Sequence, residues 1–238
     1  MPAMTEPMTD EPTAFVLARP LRPAIYGSST TDRIVEPVVE PQWTGVRVIA
    51  AGQDGGAVLL DDGESVPGHA RLAAAFGAAM DRTTTGAIVE AYITKQAVTE
   101  DAVWVEDELP STGRLIAQSM TGVRRNRTEE AAMRLEADLA ARQFADEDIV
   151  NLVVVDLLWL DGDWLLETPL LERKRVLEAV LPGDDLVRQG VYVRPPIQTW
   201  IGSWRAQGFP GVTFRAANSR YRPGQRCDDW TRVSMPRR

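Results

Sequence analysis

The chain has 238 residues, an apolar fraction of 44% and a formal net charge of −8, a composition that fits one large globular domain or two small ones. Its single cysteine, Cys227, excludes a disulfide framework and a cysteine-rich metal site. Its single histidine, His69, excludes a multi-histidine metal site, and we expect it in a surface loop. We therefore expect no metal ligands. We also expect no membrane span, because no apolar run approaches about 18 residues.

The N-terminal residues are acidic and rich in proline and threonine. They lack the basic and apolar regions of a signal peptide. We therefore expect residues 1–13 to be a disordered tail of a cytoplasmic protein, and residues 14–238 to form one domain.

Hydrophobic periodicity predicts an alternation of strands and helices along the rest of the chain. Glycine-rich turns at 52–56 and 161–163 predict two β-hairpins. Pro169 and the Pro182-Gly183 pair bound one helix, and Thr128 is a suitable N-cap for another. The predicted strands are 35–39, 46–50, 57–60, 86–93, 151–160, 164–166, 191–195, 212–215 and 230–234. The predicted helices are 69–80, 128–142, 169–181 and a short one that ends near 203–207. This pattern predicts an α+β domain with two antiparallel β-meanders and helices on their outer faces.

One segment of this framework resembles a known reactive motif. Residues 40–47 read EPQWTGVR, which is similar to the Glu-x-Lys-x-Asp-Gly-x-Arg motif of ATP-dependent DNA ligases. In that family the lysine amine attacks the α-phosphate of ATP and carries AMP as a phosphoramidate. Here Gln42 stands at the lysine position and Thr44 at the aspartate position. The nitrogen of an amide is delocalised into its carbonyl and is not a nucleophile.

Three further segments carry the same resemblance in the family's order. Residues 86–90 read GAIVE, where the family has Leu-Asp-Gly-Glu. Residues 155–162 and 169–173 read VDLLWLDG and PLLER, similar to Phe-Asp-Leu-Leu-x-Leu-x-Gly and Leu-x-x-Arg. Residues 208–233 contain GFPGVTFR, YRPG and DWTRV, similar to the family's Glu-Gly-Val-Val-x-Lys, Tyr-x-Pro-Gly and Trp-x-Lys-Val-Lys elements.

The resemblance covers about residues 14–236 and is nearest to the bacterial ligases of the end-joining type. It implies the nucleotidyltransferase fold of an adenylation domain, with ATP and Mg²⁺ as the family's cofactors and DNA as its substrate. The retention of these cofactors in this chain is doubtful, for the reasons that follow. The chain ends about where the family's adenylation domain ends, so we expect no OB domain.

Several positions depart from the family's site. By the resemblance, a cation of the family is replaced by Asp61, the adenine-stacking phenylalanine by Val155, and the metal-holding glutamate by Pro210. The family's three later lysines fall at Arg215, Arg232 and Ser234. The vestigial nucleotide-binding positions that remain are Glu40, Arg47, Glu90, Arg215 and Arg232. Alternatively, Arg47 and Arg215 serve as internal ion-pair partners of Glu40 and Glu90.

Only two lysines, Lys95 and Lys174, occur among 26 basic residues. Neither has a recognisable motif around it. Lys174 is expected on the solvated face of the 169–181 helix, where an amine with a pKa near 10.4 is a poor nucleophile.

Positive charge is concentrated near the C-terminus. Residues 188–238 hold ten arginines and two aspartates, net +8, whereas the preceding residues hold 16 basic and 32 acidic groups, net −16. A basic face is typical of nucleic-acid binding, and Arg220 and Arg222 are the candidate phosphate contacts. Alternatively, these arginines pair with carboxylates of the same domain.

Three functions remain open. The favoured one is a catalytically inactive ligase-like domain that binds DNA or a repair or end-joining protein. The second is an active ATP-dependent ligase or nucleotidyltransferase whose nucleophile lies elsewhere. The third is a protein-interaction module with no role in nucleic-acid binding.

Overall fold

The computed structural model describes residues 21–80, 83–96 and 150–235. The expected tail at 1–13 and the predicted helix at 128–142 lie outside these residues. The helices of the described part are α1 (Ala70–Met80), α2 (Leu170–Val180) and α3 (Gln198–Ala206). Its strands are β1 (Ile25–Tyr26), β2 (Pro37–Pro41), β3 (Val46–Gln53), β4 (Gly56–Asp61), β5 (Glu64–Ser65), β6 (Gly86–Thr94), β7 (Asn151–Leu160), β8 (Asp163–Trp164), β9 (Val187–Gln189), β10 (Gly211–Ala216), β11 (Arg226–Cys227) and β12 (Trp230–Ser234).

The larger sheet has seven strands, in the order β5-β4-β3-β6-β7-β8 with β9 beside β7. The long central strands are antiparallel, and their register places Glu90 of β6 opposite Asp156 of β7. Arg47 of β3 lies opposite Tyr92 of β6. The central strands therefore carry charged residues within an otherwise apolar sheet.

The smaller sheet has three antiparallel strands in the order β12-β10-β2. Thr213 in its centre pairs with Glu40 on one side and Arg232 on the other, and Arg215 pairs with Trp230. Side chains alternate between the faces of a strand, so these polar residues share one face of the sheet.

Apolar cores flank both sheets. The larger sheet packs on α1 and α2 through a core that includes Val48, Phe76, Leu157 and Leu177. A second core joins Val212 and Phe214 of the smaller sheet to Trp204 of α3 and to Val155 of the larger sheet. The opposite face of the smaller sheet carries its polar residues, and there Arg215 contacts Asp156 of the larger sheet.

The α+β fold with flanking helices agrees with the prediction, and most predicted elements are present within a few residues. The pairing is not purely antiparallel, because β1 with β11 and β7 with β9 are parallel pairs. The prediction of a strand at 191–195 is wrong. Val193 forms only an isolated bridge with Val39, and the strand beside β7 is Val187–Gln189 instead. Two prolines at 195 and 196 cannot donate to a ladder, which limits pairing there.

The expectation that His69 is a surface residue is also wrong, since only 7% of the residue is exposed. Its carbonyl accepts hydrogen bonds from the amides of Leu72 and Ala73 at the start of α1. His69 therefore belongs to the packed N-terminal turn of this helix.

Candidate functional site

Glu40 of β2 is the centre of a buried ion cluster between the two sheets. One of its carboxylate oxygens pairs with the Nζ of Lys174 from α2, and the other pairs with the guanidinium of Arg215 from β10. All three side chains are at most 3% exposed. Such groups are stable inside a protein only when charge pairing offsets their desolvation.

Asp156 of β7 extends the cluster into the larger sheet. Arg173 donates to both of its carboxylate oxygens, at 2.8 and 2.9 Å, and Arg215 donates to Oδ2 at 3.2 Å. The backbone amide of Leu157 donates to Oδ1 at 2.9 Å. Burial opposes ionisation, but the charge and hydrogen bonds of Arg173 outweigh it, and the pKa of Asp156 lies below its usual value. Asp156 is therefore ionised and accepts four hydrogen bonds, and its partners connect the two sheets and α2.

A second buried pair lies beside this cluster. Arg47 donates from Nε to Glu90 at 2.7 Å and from Nη1 to the carbonyl of Ala24 at 2.7 Å. The hydroxyl of Tyr221 donates to the other oxygen of Glu90 at 2.5 Å. Burial and the charge of Glu90 raise the pKa of Tyr221, so this tyrosine stays a hydrogen-bond donor. The carboxylate of Glu90 is thus held by groups of the chain itself.

Tyr26 of β1 lies between two of the candidate nucleotide-binding arginines. The guanidinium carbons of Arg47 and Arg232 lie 5.2 and 4.1 Å from the centre of its ring. Trp230 packs against the same ring, with the ring centres 5.7 Å apart. These are cation–π and aromatic contacts within the chain.

The structure therefore brings all five vestigial positions into one region, where four form ion pairs and Arg232 lies over the Tyr26 ring. Arg47 with Glu90 and Arg215 with Glu40 are the ion pairs that the alternative interpretation expected. Nucleotide binding by these residues stays a prediction. The sequence reasoning did not assign Asp156, Arg173 or Tyr221 to the site, although each lies in a quoted motif. Tyr26 lies in no motif and gave no signal.

Gln42 lies two residues beyond Glu40 and is 3% exposed. Its backbone N–H donates to the carbonyl of Gly211 at 2.8 Å. A β-carbon at Gly211 would collide with Oε1 of Gln42 and would lie 2.6 Å from the carbonyl oxygen of Val233. The side chain of Gln42 therefore packs directly on the glycine of β10.

Thr44, the position that the resemblance aligns with the family's aspartate, is also buried. Its amide and its hydroxyl both donate to Oε1 of Gln96, at 3.0 and 2.7 Å. Gln96, two residues beyond β6, therefore accepts both donors of Thr44.

The other departures from the family's site lie in three different environments. Val155 is 3% exposed and belongs to the same core as Trp43 and Phe209, whose rings meet edge to face at 5.1 Å. Pro210 is buried, and its carbonyl accepts the amide of Met235 at 2.7 Å. Asp61 is exposed at the end of β4. Val155 and Pro210, the positions that the resemblance aligns with the family's stacking ring and metal-binding carboxylate, are therefore packed apolar groups.

The expectation that Lys174 lies on the solvated face of its helix is wrong. Its side chain is 2% exposed, and its Nζ lies 5.1 Å from the centre of the Tyr192 ring. Burial lowers the pKa of the amine, although Glu40 opposes this shift. The charged stretch that contains Lys174 is typical of a surface helix, but the smaller sheet covers this side of α2.

Because the chain has only two lysines, amine labelling tests this placement directly. We expect an acetylating reagent to modify Lys95, which is partly exposed, in the folded protein and Lys174 only after unfolding. The modified sites are read by peptide mass spectrometry before and after denaturation in urea. Rapid acetylation of Lys174 in the folded protein would contradict the buried pair with Glu40.

The two candidate DNA-contacting arginines lie outside the ion cluster. The side chain of Arg222 is 45% exposed and pairs with Glu167 at 2.5 Å. Arg220 is partly exposed, and its Nη1 atom is buried without a hydrogen-bond partner in the described part of the chain. Among the C-terminal arginines, pairing with the domain's own carboxylates therefore holds for Arg194, Arg215, Arg222 and Arg226.

No group of three or more His, Cys, Asp and Glu side chains within the described residues is arranged to hold a metal ion. Across residues 21–80, 83–96 and 150–235, no helix is long and apolar enough to cross a membrane.

The two facing sheets and the ordered motif positions define a nucleotidyltransferase-type domain. The family model for the ATP dependent DNA ligase domain matches residues 83–233, and the chain belongs to this family. It is 35% identical over 77 residues to the multifunctional non-homologous end joining DNA repair protein LigD of Mycobacterium tuberculosis. This aligned stretch covers 32% of this chain and 10% of that protein. It is 31% identical over 87 residues to a DNA ligase of Methanothrix thermoacetophila, 35% of this chain and 15% of that protein.

Solved structures show the same fold. The ligase domain of M. tuberculosis LigD aligns with a TM-score of 0.57 and 20% identity, over 90% of this chain and 59% of that one. A mycobacterial DNA ligase D complexed with ATP and MES aligns with a TM-score of 0.59 and 20% identity, over 89% and 59% of the two chains. The chain thus spans about three fifths of these ligase structures and shares their fold.

Proposed function

We propose that this domain does not form a lysine–AMP intermediate and acts as a binding module in DNA repair or end joining. The observation that carries the proposal is Gln42, an amide at the position of the family's nucleophilic lysine. A carboxamide nitrogen has no free lone pair for attack on phosphorus. The membership of the ATP-dependent DNA ligase family supports the DNA-repair setting.

The ion cluster supports the same conclusion. Glu40 and Asp156 already accept from Lys174, Arg173 and Arg215, and Glu90 already accepts from Arg47 and Tyr221. A ligand phosphate would have to displace these buried pairs. Removing one partner of a buried pair leaves a charge uncompensated, which costs about 3 to 5 kcal/mol.

The residues present do not fit Mg²⁺ and ATP at the family's site. Pro210 offers no carboxylate to a metal ion, and Val155 is packed among apolar side chains. The loss of an aromatic platform removes about 1 to 3 kcal/mol of stacking, by analogy with aromatic–base contacts elsewhere. We therefore expect calorimetry to detect no micromolar binding of ATP.

The direct test is incubation of the protein with α-labelled ATP and divalent metal, followed by denaturing electrophoresis. We expect no radioactive band, because a phosphoramidate survives denaturation and none should form. An active end-joining ligase serves as the positive control. A denaturation-stable AMP adduct on any residue would overturn the proposal.

A second candidate function rests on Lys174. This lysine touches Glu40, two residues from the position of the missing nucleophile, and burial lowers its pKa. A lowered pKa is one route by which a lysine becomes a nucleophile. An AMP adduct mapped to Lys174, and lost in Lys174→Arg, would establish this alternative and place the nucleophile on α2.

The DNA contact of the proposed module is assigned to Arg220 and Arg222. Each arginine–phosphate contact that is removed should lower the salt-dependence slope of DNA binding by about one unit. We expect Arg220→Ala with Arg222→Ala to weaken binding of nicked and intact duplexes, and to lower the slope by about two units.

The matched control is Arg175→Ala, which removes an exposed arginine of α2 that pairs with exposed Glu172. This change should leave both affinity and slope nearly unchanged. If the double substitution leaves tight DNA binding unchanged, the DNA interface lies elsewhere on the domain. An absence of binding at low salt would favour the third function, a protein-interaction module.

A further inference from the structure

A short segment that contains β1 contacts the region of the vestigial positions. We call residues 22–27 the strap. The backbone N–H of Ile25 donates to the carbonyl of Gln225 at 2.9 Å, and that of Gly27 donates to the carbonyl of Trp230 at 2.9 Å. The strap is therefore joined by its backbone to the chain around β11 and to the start of β12.

The middle of the strap takes part in the hydrogen bonding of the second buried pair. The carbonyl of Ala24 accepts from Nη1 of Arg47 at 2.7 Å, and its backbone N–H donates to the hydroxyl of Tyr221 at 3.2 Å. Arg47 and Tyr221 both also donate to Glu90, which closes a ring of hydrogen bonds. One donor of Arg47 that could reach a ligand oxygen is thus used by the main chain of the strap.

The side chain of Tyr26 covers the same arginine and a second one. The guanidinium carbons of Arg47 and Arg232 lie over its ring, at 5.2 and 4.1 Å from the ring centre. The side chain of Arg47 is left only 16% exposed. A planar guanidinium stacks on aromatic rings and also pairs with anions. The Tyr26 ring and the Ala24 carbonyl therefore occupy positions that suit a planar ring and an anionic oxygen of a ligand.

The attachment of the strap is local. β1 has two residues and forms two residue pairs with β11. Ile25 is 52% exposed, and Tyr26 is partly exposed. Segments with few buried apolar contacts and exposed backbone hydrogen bonds open at a lower free energy than the core of a domain. The strap can therefore be displaced while the two sheets stay intact.

We propose that the strap is an autoinhibitory segment that closes the region of Arg47 and Arg232 against a nucleotide, a planar ring that carries a phosphate. In the closed state, Tyr26 and Ala24 supply the ring and the oxygen from within the chain. The proposal rests on the loss of nucleotide binding proposed above and adds a reversible cause to the substitutions at the site. An intramolecular blocker reduces the apparent affinity to the fraction of molecules in which it is open.

The test measures binding of AMP to Tyr26→Ala, which removes the ring and keeps the backbone of the strap. Chemical-shift changes in protein NMR spectra report weak as well as tight binding. If the strap is open in about one molecule in ten or fewer, the variant should bind AMP at least about tenfold more tightly than the parent. Ribose 5-phosphate carries a phosphate without the planar ring, and its affinity should change much less.

Two further variants are matched controls. Tyr26→Phe keeps the ring and should bind AMP as weakly as the parent. Trp164→Ala removes a 44% exposed ring from β8, outside the strap, and should also leave AMP binding unchanged. If circular dichroism shows that Tyr26→Ala does not fold, Gly27→Ala replaces it. A β-carbon at Gly27 would lie 2.5 Å from the carbonyl oxygen of Cys227, so it should push the strap away from β11 and raise the affinity for AMP.

Unchanged AMP affinity in the strap variants would overturn the autoinhibition proposal and leave the proposed function standing. An equal gain for ribose 5-phosphate would overturn the exchange of the Tyr26 ring for a ligand ring. Micromolar binding of AMP by the parent would overturn both the closed strap and the proposed loss of nucleotide binding. The labelled-ATP experiment tests the absence of the lysine–AMP intermediate separately from all of these results.

Discussion

Asp156→Asn should destabilise the domain by about 3 to 5 kcal/mol, the cost of breaking a buried charge pair. The carboxylate of Asp156 accepts from Arg173 twice and from Arg215 once, and all three side chains are inaccessible to solvent. An amide at this position keeps the size of the side chain but leaves Arg173 without its counter-ion and Arg215 with Glu40 alone. Urea unfolding, followed by tryptophan fluorescence, measures the change in the free energy of unfolding.

The control for this variant is Glu172→Gln, which breaks the exposed pair with Arg175. Exposed pairs contribute about 0 to 1 kcal/mol, so its unfolding should be nearly that of the parent. A similar loss in both variants would show that charge burial is not the cause. A loss below about 1 kcal/mol in Asp156→Asn would contradict the cluster's role in joining the sheets.

The difference in unfolding free energy between the parent and Asp156→Asn should depend on pH. The pKa of Asp156 is lower in the folded protein than its unfolded value of about 3.9. Its stabilisation is therefore complete above the unfolded pKa and is lost as the pH falls through the folded one. The difference in stability between the parent and Asp156→Asn should narrow below about pH 4. A difference that stays constant down to pH 2 would contradict this assignment.

The sequence predicted the fold well because its signals are local. The apolar run of β7, which only Asp156 interrupts between Leu152 and Leu160, and the glycine-rich turns specify a strand and two hairpins without help from the rest of the chain. The short strands β1 and β11 were missed, because two paired residues give no periodicity. The strand β9 was also missed, because its sequence of valine, arginine and glutamine does not look like a buried strand.

The site was predictable in its positions and not in its contacts. Motif spacing located Glu40, Arg47, Glu90 and Arg215, but it did not show that their charges are neutralised within the chain. Lys174 shows the limit most clearly. Its neighbours in sequence are charged, whereas its neighbours in space are Glu40 and Tyr192, each more than ten residues away along the chain. Burial of a charge depends on long-range pairing, which a single sequence does not encode locally.

Gln42→Lys, the change that restores the family's nucleophile, should not restore self-adenylation. The amine would enter a region that already holds Lys174 and Arg215, with Glu40 shared between them. A further buried cation there has no counter-ion of its own, so it should destabilise the fold or lose its proton. The metal-binding carboxylate and the stacking ring would still be absent at Pro210 and Val155.

The assay is the labelled-ATP incubation described for the parent, together with urea unfolding of the variant. Gln42→Met is the matched control, because it fills a similar volume without charge and should remain folded. We expect no AMP adduct in either variant, and lower stability only in Gln42→Lys. A denaturation-stable adduct at position 42 would show that one amide is all that separates this domain from its family's chemistry. The closed ion cluster would then have to open for ATP, and the proposed loss of nucleotide binding would be wrong.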